Sequence, residues 1–152
     1  MAKTIPFPQR AQARSRRTKT MLLPMPCTAA NDLALQVHLA LSALRLGGSL
    51  DDARALLHAH VLAQSIADAG YGTFEAAQIQ AADAALLQCF ERGNTGGGWQ
   101  LDPSEFEALA HVITVYDAQL QGAPMWVLAE ASDRLERMSA GEFGQSRMRR
   151  HA

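Results

Sequence analysis

From Leu33 to Met138 the large apolar residues recur every three or four positions, and glycine or proline breaks the pattern at Gly47-Gly48, Gly70 to Gly72, Gly93 to Gly98 and Gly122 to Pro124. A spacing of three and four puts those side chains on one face of a helix, and the breaks fall where helices end. The chain is therefore expected to be all-α, an antiparallel bundle of about five helices, because short connections favour antiparallel neighbours. No alternation long enough for a strand is present, and no repeat of fixed period.

The segments read one by one as follows. Thr28 is the expected cap of a first helix to about Leu46, with Leu33, Val37, Leu41 and Leu44 on its inner face. Ser49 caps a second helix to about Ala69, where Asp51 and Asp52 suit the positive helix start. Its apolar line is Ala53, Leu57 and Val61, broadened by Leu56, Ala63 and Ile66. Thr73 is the expected cap of a third helix, Phe74 to Arg92, with Ile79, Ala82, Leu86, Leu87 and Phe90 on one side. "DPSE" opens a fourth: Asp102 as cap, Pro103 at the first position, Glu105 reaching back. Phe106, Leu109, Ile113, Tyr116 and Leu120 form its stripe, and Gly122 ends it. A fifth helix runs from Pro124 to about Met138, with Leu128, Ala131, Leu135 and Met138 in register.

These limits divide the chain into a basic, proline-rich flexible arm (1–27), a helical domain (28–138) and a flexible basic tail (139–152). The division matters because charge follows it. Residues 1–20 carry Lys3, Arg10, Arg14, Arg16, Arg17 and Lys19 and no acid, a charge of +6. Residues 28–138 carry five bases and fourteen acids, a charge of −9. The tail, with Arg147, Arg149 and Arg150 against Glu142, carries +2. Such segregation speaks of partners rather than of fold. Arginines and lysines on an arm bind phosphates by releasing counterions, without reading sequence. Base readout needs a helix bearing Arg, Lys, Asn or Gln, and none of the five helices is basic. The expected nucleic-acid contacts, to DNA or RNA, are therefore Arg10, Arg14, Arg16, Arg17, Lys19, Arg147, Arg149 and Arg150. The arms have a second expected resting place on the acidic body or an acidic neighbour.

No catalytic constellation emerges. His58 and His60, two apart, point to different faces of a helix, whereas helical metal pairs sit three or four apart. His38 and His111 stand alone in amphipathic helices, and nothing in the spacing requires the histidines to converge. Asp51, Asp52, Asp102 and Glu105 are accounted for by helix starts. "GNTGGGW" lacks the lysine and spacing of a phosphate loop and reads as a flexible connection, with Trp99 anchoring its far end. Cys27 and Cys89 lack CxxC spacing and are expected as free thiols, Cys89 as a small core residue. No catalytic residue, metal or cofactor is expected. Met125, Trp126 and Trp99 are candidate partner contacts, together with the apolar "MLLPMP". That run is too short and proline-rich for a signal core, and no segment has the roughly 20 apolar residues a membrane helix needs. Pro6, Pro8, Pro24 and Pro26 interrupt any amphipathic targeting helix. A cytoplasmic protein without membrane contact is expected.

"ALSALRLGGSLDDARALLHAHVLAQSIADAGYG", "ERGNTGGGWQLDPSEFEAL" and "YDAQL" carry a resemblance. Over about residues 30–138 the chain is similar to small helical proteins borne by phages, prophages and plasmids of proteobacteria, some labelled Fis-like regulators. The shared pattern is a helix ending in arginine, a glycine-rich connection, and a helix with Asp-x-Gln near its end. The resemblance implies an all-α, regulatory protein and no catalytic residues. The combined expectation is a non-enzymatic binding module whose body engages a protein partner or itself and whose arms touch nucleic acid. The alternative is an inhibitor of a host defence or regulatory complex that uses its acidic surface as a nucleic-acid competitor.

Overall fold

A computed structural model of the chain describes residues 19–149, with side chains through residue 141. After a short helical stretch at residues 19–21, five long helices follow: α1 Cys27–Arg45, α2 Leu50–Asp68, α3 Ala76–Asn94, α4 Pro103–Gly122 and α5 Met125–Arg149. The all-α expectation holds. Of Arg10, Arg14, Arg16, Arg17 and Arg150, expected on the arm and tail, all lie outside the described residues, and Lys19 is exposed.

Local chemistry sets the helix limits. Gly48 has a φ of 64°, and a Cβ there would stand 2.8 Å from the Leu44 Cα, so only glycine makes this turn without strain. Ser49 then accepts a hydrogen bond from the Asp52 amide and starts α2. Thr28 does not cap α1. Pro26 takes that place, its fixed φ compatible with an extended residue just ahead of Cys27. Nor does Thr73 cap α3. The chain stays extended through Phe74, and Glu75 is the cap, its amide donating to the Gln78 side chain at 3.0 Å. Asp102 caps α4 as expected, accepting from the Glu105 amide at 2.8 Å. The Glu105 side chain turns inward to an arginine instead of reaching back. Ala123 is extended because Pro124 disfavours helix in the residue before it, and α4 stops there. α5 does not end near Met138. It runs through Gly141 and Gly144 to Arg149, past the limit expected for the fifth helix. Two glycines cost roughly 1 kcal/mol each against alanine, but no proline interrupts the segment.

α2 and α4 form the centre of the bundle. α4 packs against α1, α2 and α3, while α2 also packs against α1, α3 and α5. The core joins Leu44, Leu56, Ile66, Leu109, Val112, Ile113, Leu120 and Val127 with many alanines, among them Ala30, Ala53, Ala63 and Ala82. Small residues let the helices approach closely. In α2 the buried face is Ala53, Leu56, Ala59, His60, Ala63 and Ile66, with Leu57 and Val61 half-buried. Leu33, Leu87 and Met138, expected inside, are exposed.

Polar ties fix the helices against one another. Gln119, in the Asp-x-Gln pattern, donates to the carbonyls of Ala63 and Tyr71, both at 2.9 Å, locking α4 to the α2–α3 turn. Arg92 forks onto the buried Glu105 at 2.8 and 2.6 Å and donates to the Gln100 carbonyl at 2.8 Å. The hydrogen bonding to Glu105, first of several causes, holds the guanidinium above its ordinary pKa. Trp99 stacks on the space a Gly93 side chain would need, and meets Phe90 edge-on at 5.6 Å. The glycine-rich connection is thus tied at both ends rather than freely flexible. Within it the Gly97 amide donates to the Arg92 carbonyl at 2.8 Å.

Candidate functional site

Two apolar segments singled out in the sequence, far apart in the chain, meet in the fold. Leu23 and Pro24 run antiparallel to Pro124 and Met125: a bridge pairs Pro24 with Pro124, and the Met125 amide donates to the Leu23 carbonyl at 2.9 Å. Prolines on both sides hold the chain extended here, which is what permits the pairing. Val127 and Ala123 are buried beneath. Left outside are Leu22 at 60%, Leu23 at 61% and Trp126 at 40% exposure, with Met25 and Met125 half-buried. A surface that offers two leucines and a tryptophan together has the composition of an interface core. Lys19, the first described residue, lies one helical turn before it.

Trp99 is not part of this edge. It sits before the start of α4, whereas Met125 and Trp126 follow its end, and a helix of twenty residues spans about 30 Å. Its half-buried ring serves the α3–α4 connection. Arg147 and Arg149 lie in the last turns of α5.

The histidines separate. His38 binds Asp117 at 2.6 Å across the α1–α4 seam, and His60 binds Asp83 at 2.6 Å between α2 and α3. His58 and His111 are exposed. His60 is 3% exposed and shares its Nε2 with Gln64 at 2.6 Å. A cleft of about 250 Å³ between the end of α2 and the start of α3 is lined by Gln64, Asp68, Thr73 and Phe74. Among the described residues, no three His, Cys, Asp or Glu side chains are grouped to hold a metal ion. Both cysteines are free, Cys27 exposed and Cys89 buried, and burial pushes the Cys89 thiol up from its ordinary pKa. Likewise, burial raises the Tyr116 phenol. These polar pairs between helices were missed in the sequence, since partners such as His38 and Asp117 become neighbours only through the bundle. The one signal was the Asp-x-Gln pattern itself.

No helix among the described residues is long and apolar enough to cross a membrane. No family model matches the chain, and no curated protein or solved structure is significantly similar to it.

Proposed function

We propose that the protein is a non-enzymatic binding and regulatory module, cytoplasmic, with a body that engages a protein partner or itself and basic arms that contact nucleic acid non-specifically. The observation that carries the reading is the edge at Leu22, Leu23 and Trp126. Two chain segments are pinned together there with apolar side chains turned out, directly beside the root of the arm. A mobile genetic element as its source rests on the resemblance of residues 30–138 alone.

The test uses the full chain in three forms: wild type, an arm variant with Arg10, Arg14, Arg16 and Arg17 all changed to Gln, and an edge variant combining Leu23→Asp and Trp126→Ala. The wild type and the edge variant are expected to bind a labelled DNA duplex at low salt, and the arm variant to lose that binding. Absence of binding by the wild type, or full binding by the arm variant, sinks the nucleic-acid half of the reading.

The acidic surface favours a second reading. Glu107, Glu130, Asp133 and Glu136 are exposed on α4 and α5, and a −9 body resembles nucleic acid in charge. An inhibitor of a host nucleic-acid-handling complex would use that surface. Its mark is binding to such a protein that the arm variant retains and that added nucleic acid competes away.

A further inference from the structure

α1 has two apolar faces. Val37, Leu41 and Leu44 point into the core. On the opposite side Leu35, Leu39, Ser42 and Leu46 follow one another at intervals of four, three and four, and the leucines are 56%, 59% and 87% exposed. A bundle helix needs one apolar stripe, not two. The second has the spacing of a coiled-coil seam, in which leucines from two helices interlock.

We propose that this ridge pairs two copies of the chain, α1 against α1, about a two-fold axis. Charge selects the occupant. α1 carries Asp32 and Arg45 and is neutral, whereas α2, α3 and α4 are net negative, from −1 on α3 to −3 on α4, and α5, with four acids and four arginines from Met125 to Arg149, is neutral too. Two bodies of −9 repel each other least when their neutral faces meet. Direction follows from the same two residues. An antiparallel arrangement brings the Asp32 end of one α1 beside the Arg45–Leu46 end of the other, twice by symmetry, whereas a parallel one sets like charges together. The ridge from Leu35 to Leu46 is about 17 Å long. A ridge of three leucines and a serine cannot bury the roughly 1,200–2,000 Å² of a standard interface, so the dimer is weak and reversible. The inference deepens the self-association half of the proposed function, with Leu22, Leu23 and Trp126 left free for another partner.

The test is sedimentation equilibrium of the full chain over a wide concentration range at about 1 M salt, where the Debye length falls to about 3 Å and any arm-to-body attraction is screened. The expected result is an average mass rising toward twice that of the monomer. The Leu39→Glu, Leu46→Glu variant is expected to remain monomeric with unchanged far-UV circular dichroism, since both positions are exposed, Glu is as good a helix former as Leu at position 39, and Leu46 lies just past the end of α1. At about 0.1 M salt, Asp32→Arg is expected to weaken the dimer and Asp32→Arg with Arg45→Glu to restore it. A monomer at every concentration overturns the inference, as does a dimer indifferent to the leucine substitutions. DNA binding by the full-length monomer would show that the arm reading stands without it.

Discussion

Arg92→Met should destabilise the fold by about 3 kcal/mol near neutral pH. The figure follows from the geometry of one ion pair. Glu105 is 4% exposed and receives both its charged hydrogen bonds, at 2.8 and 2.6 Å, from Arg92. Removing one member of a buried pair costs roughly 3–5 kcal/mol, because the remaining charge stays out of water without a partner. Arg92 itself is 35% exposed, which moves the expectation to the lower end of that range. Methionine keeps most of the stem, so little of the loss comes from packing. The opposite substitution is milder. In Glu105→Gln the half-exposed guanidinium can turn to water and keep its bond to the Gln100 carbonyl, at an expected cost of about half as much. Urea unfolding followed by circular dichroism near neutral pH measures both. A loss within about 0.5 kcal/mol for Arg92→Met would show that the pair contributes no more than a surface contact.

Other substitutions test the rest of the framework. A methyl group at Gly93 would lie 2.3 Å from the Trp99 ring, so Gly93→Ala must displace that ring. A net cost of about 1–2 kcal/mol is expected after the gain in helix propensity, with a red-shifted Trp99 emission in a Trp126→Phe background. Gln119→Leu leaves two inward carbonyls, those of Ala63 and Tyr71, without their donor, and should cost about 2–4 kcal/mol by thermal unfolding. Asp102 is held below its ordinary pKa, first by the Glu105 amide and then by the Ser104 hydroxyl. A depressed carboxyl stabilises above its unfolded pKa and loses that contribution as pH falls through the folded one, so the Tm gap between wild type and Asp102→Ala should narrow below about pH 4.

The fold was legible where punctuation and large apolar residues agreed. Ser49, Asp102 and Pro103 start helices as expected, and Leu109, Ile113, Tyr116 and Leu120 form the buried stripe of α4. Misreadings have physical causes. In α2, contact with four other helices buries a broad face, and the alanines that line it carry little hydropathy signal. In α1, two leucine faces compete in the pattern, which is why Leu33 was set inside and the outer ridge passed unnoticed. α5 outran its expected end because glycine weakens a helix without forbidding it. The candidate edge was half legible: "MLLPMP" and Met125-Trp126 each stood out as apolar excess, but only the fold brings Leu23 beside Met125. The arginines expected to touch nucleic acid were legible as charge alone.

The central claim is that the basic arm, and not the acidic body, meets nucleic acid. It is tested most directly by the slope of log affinity against log salt for a DNA duplex binding the full chain, compared with the Arg10, Arg14, Arg16, Arg17→Gln variant. Each phosphate contact contributes about 0.9 to the slope, so loss of four should flatten it by up to about 3.6. The account predicts a steep slope for the wild type and one flatter by about that amount for the variant, which keeps Lys19, Arg147, Arg149 and Arg150. Equal slopes for the two proteins would contradict it.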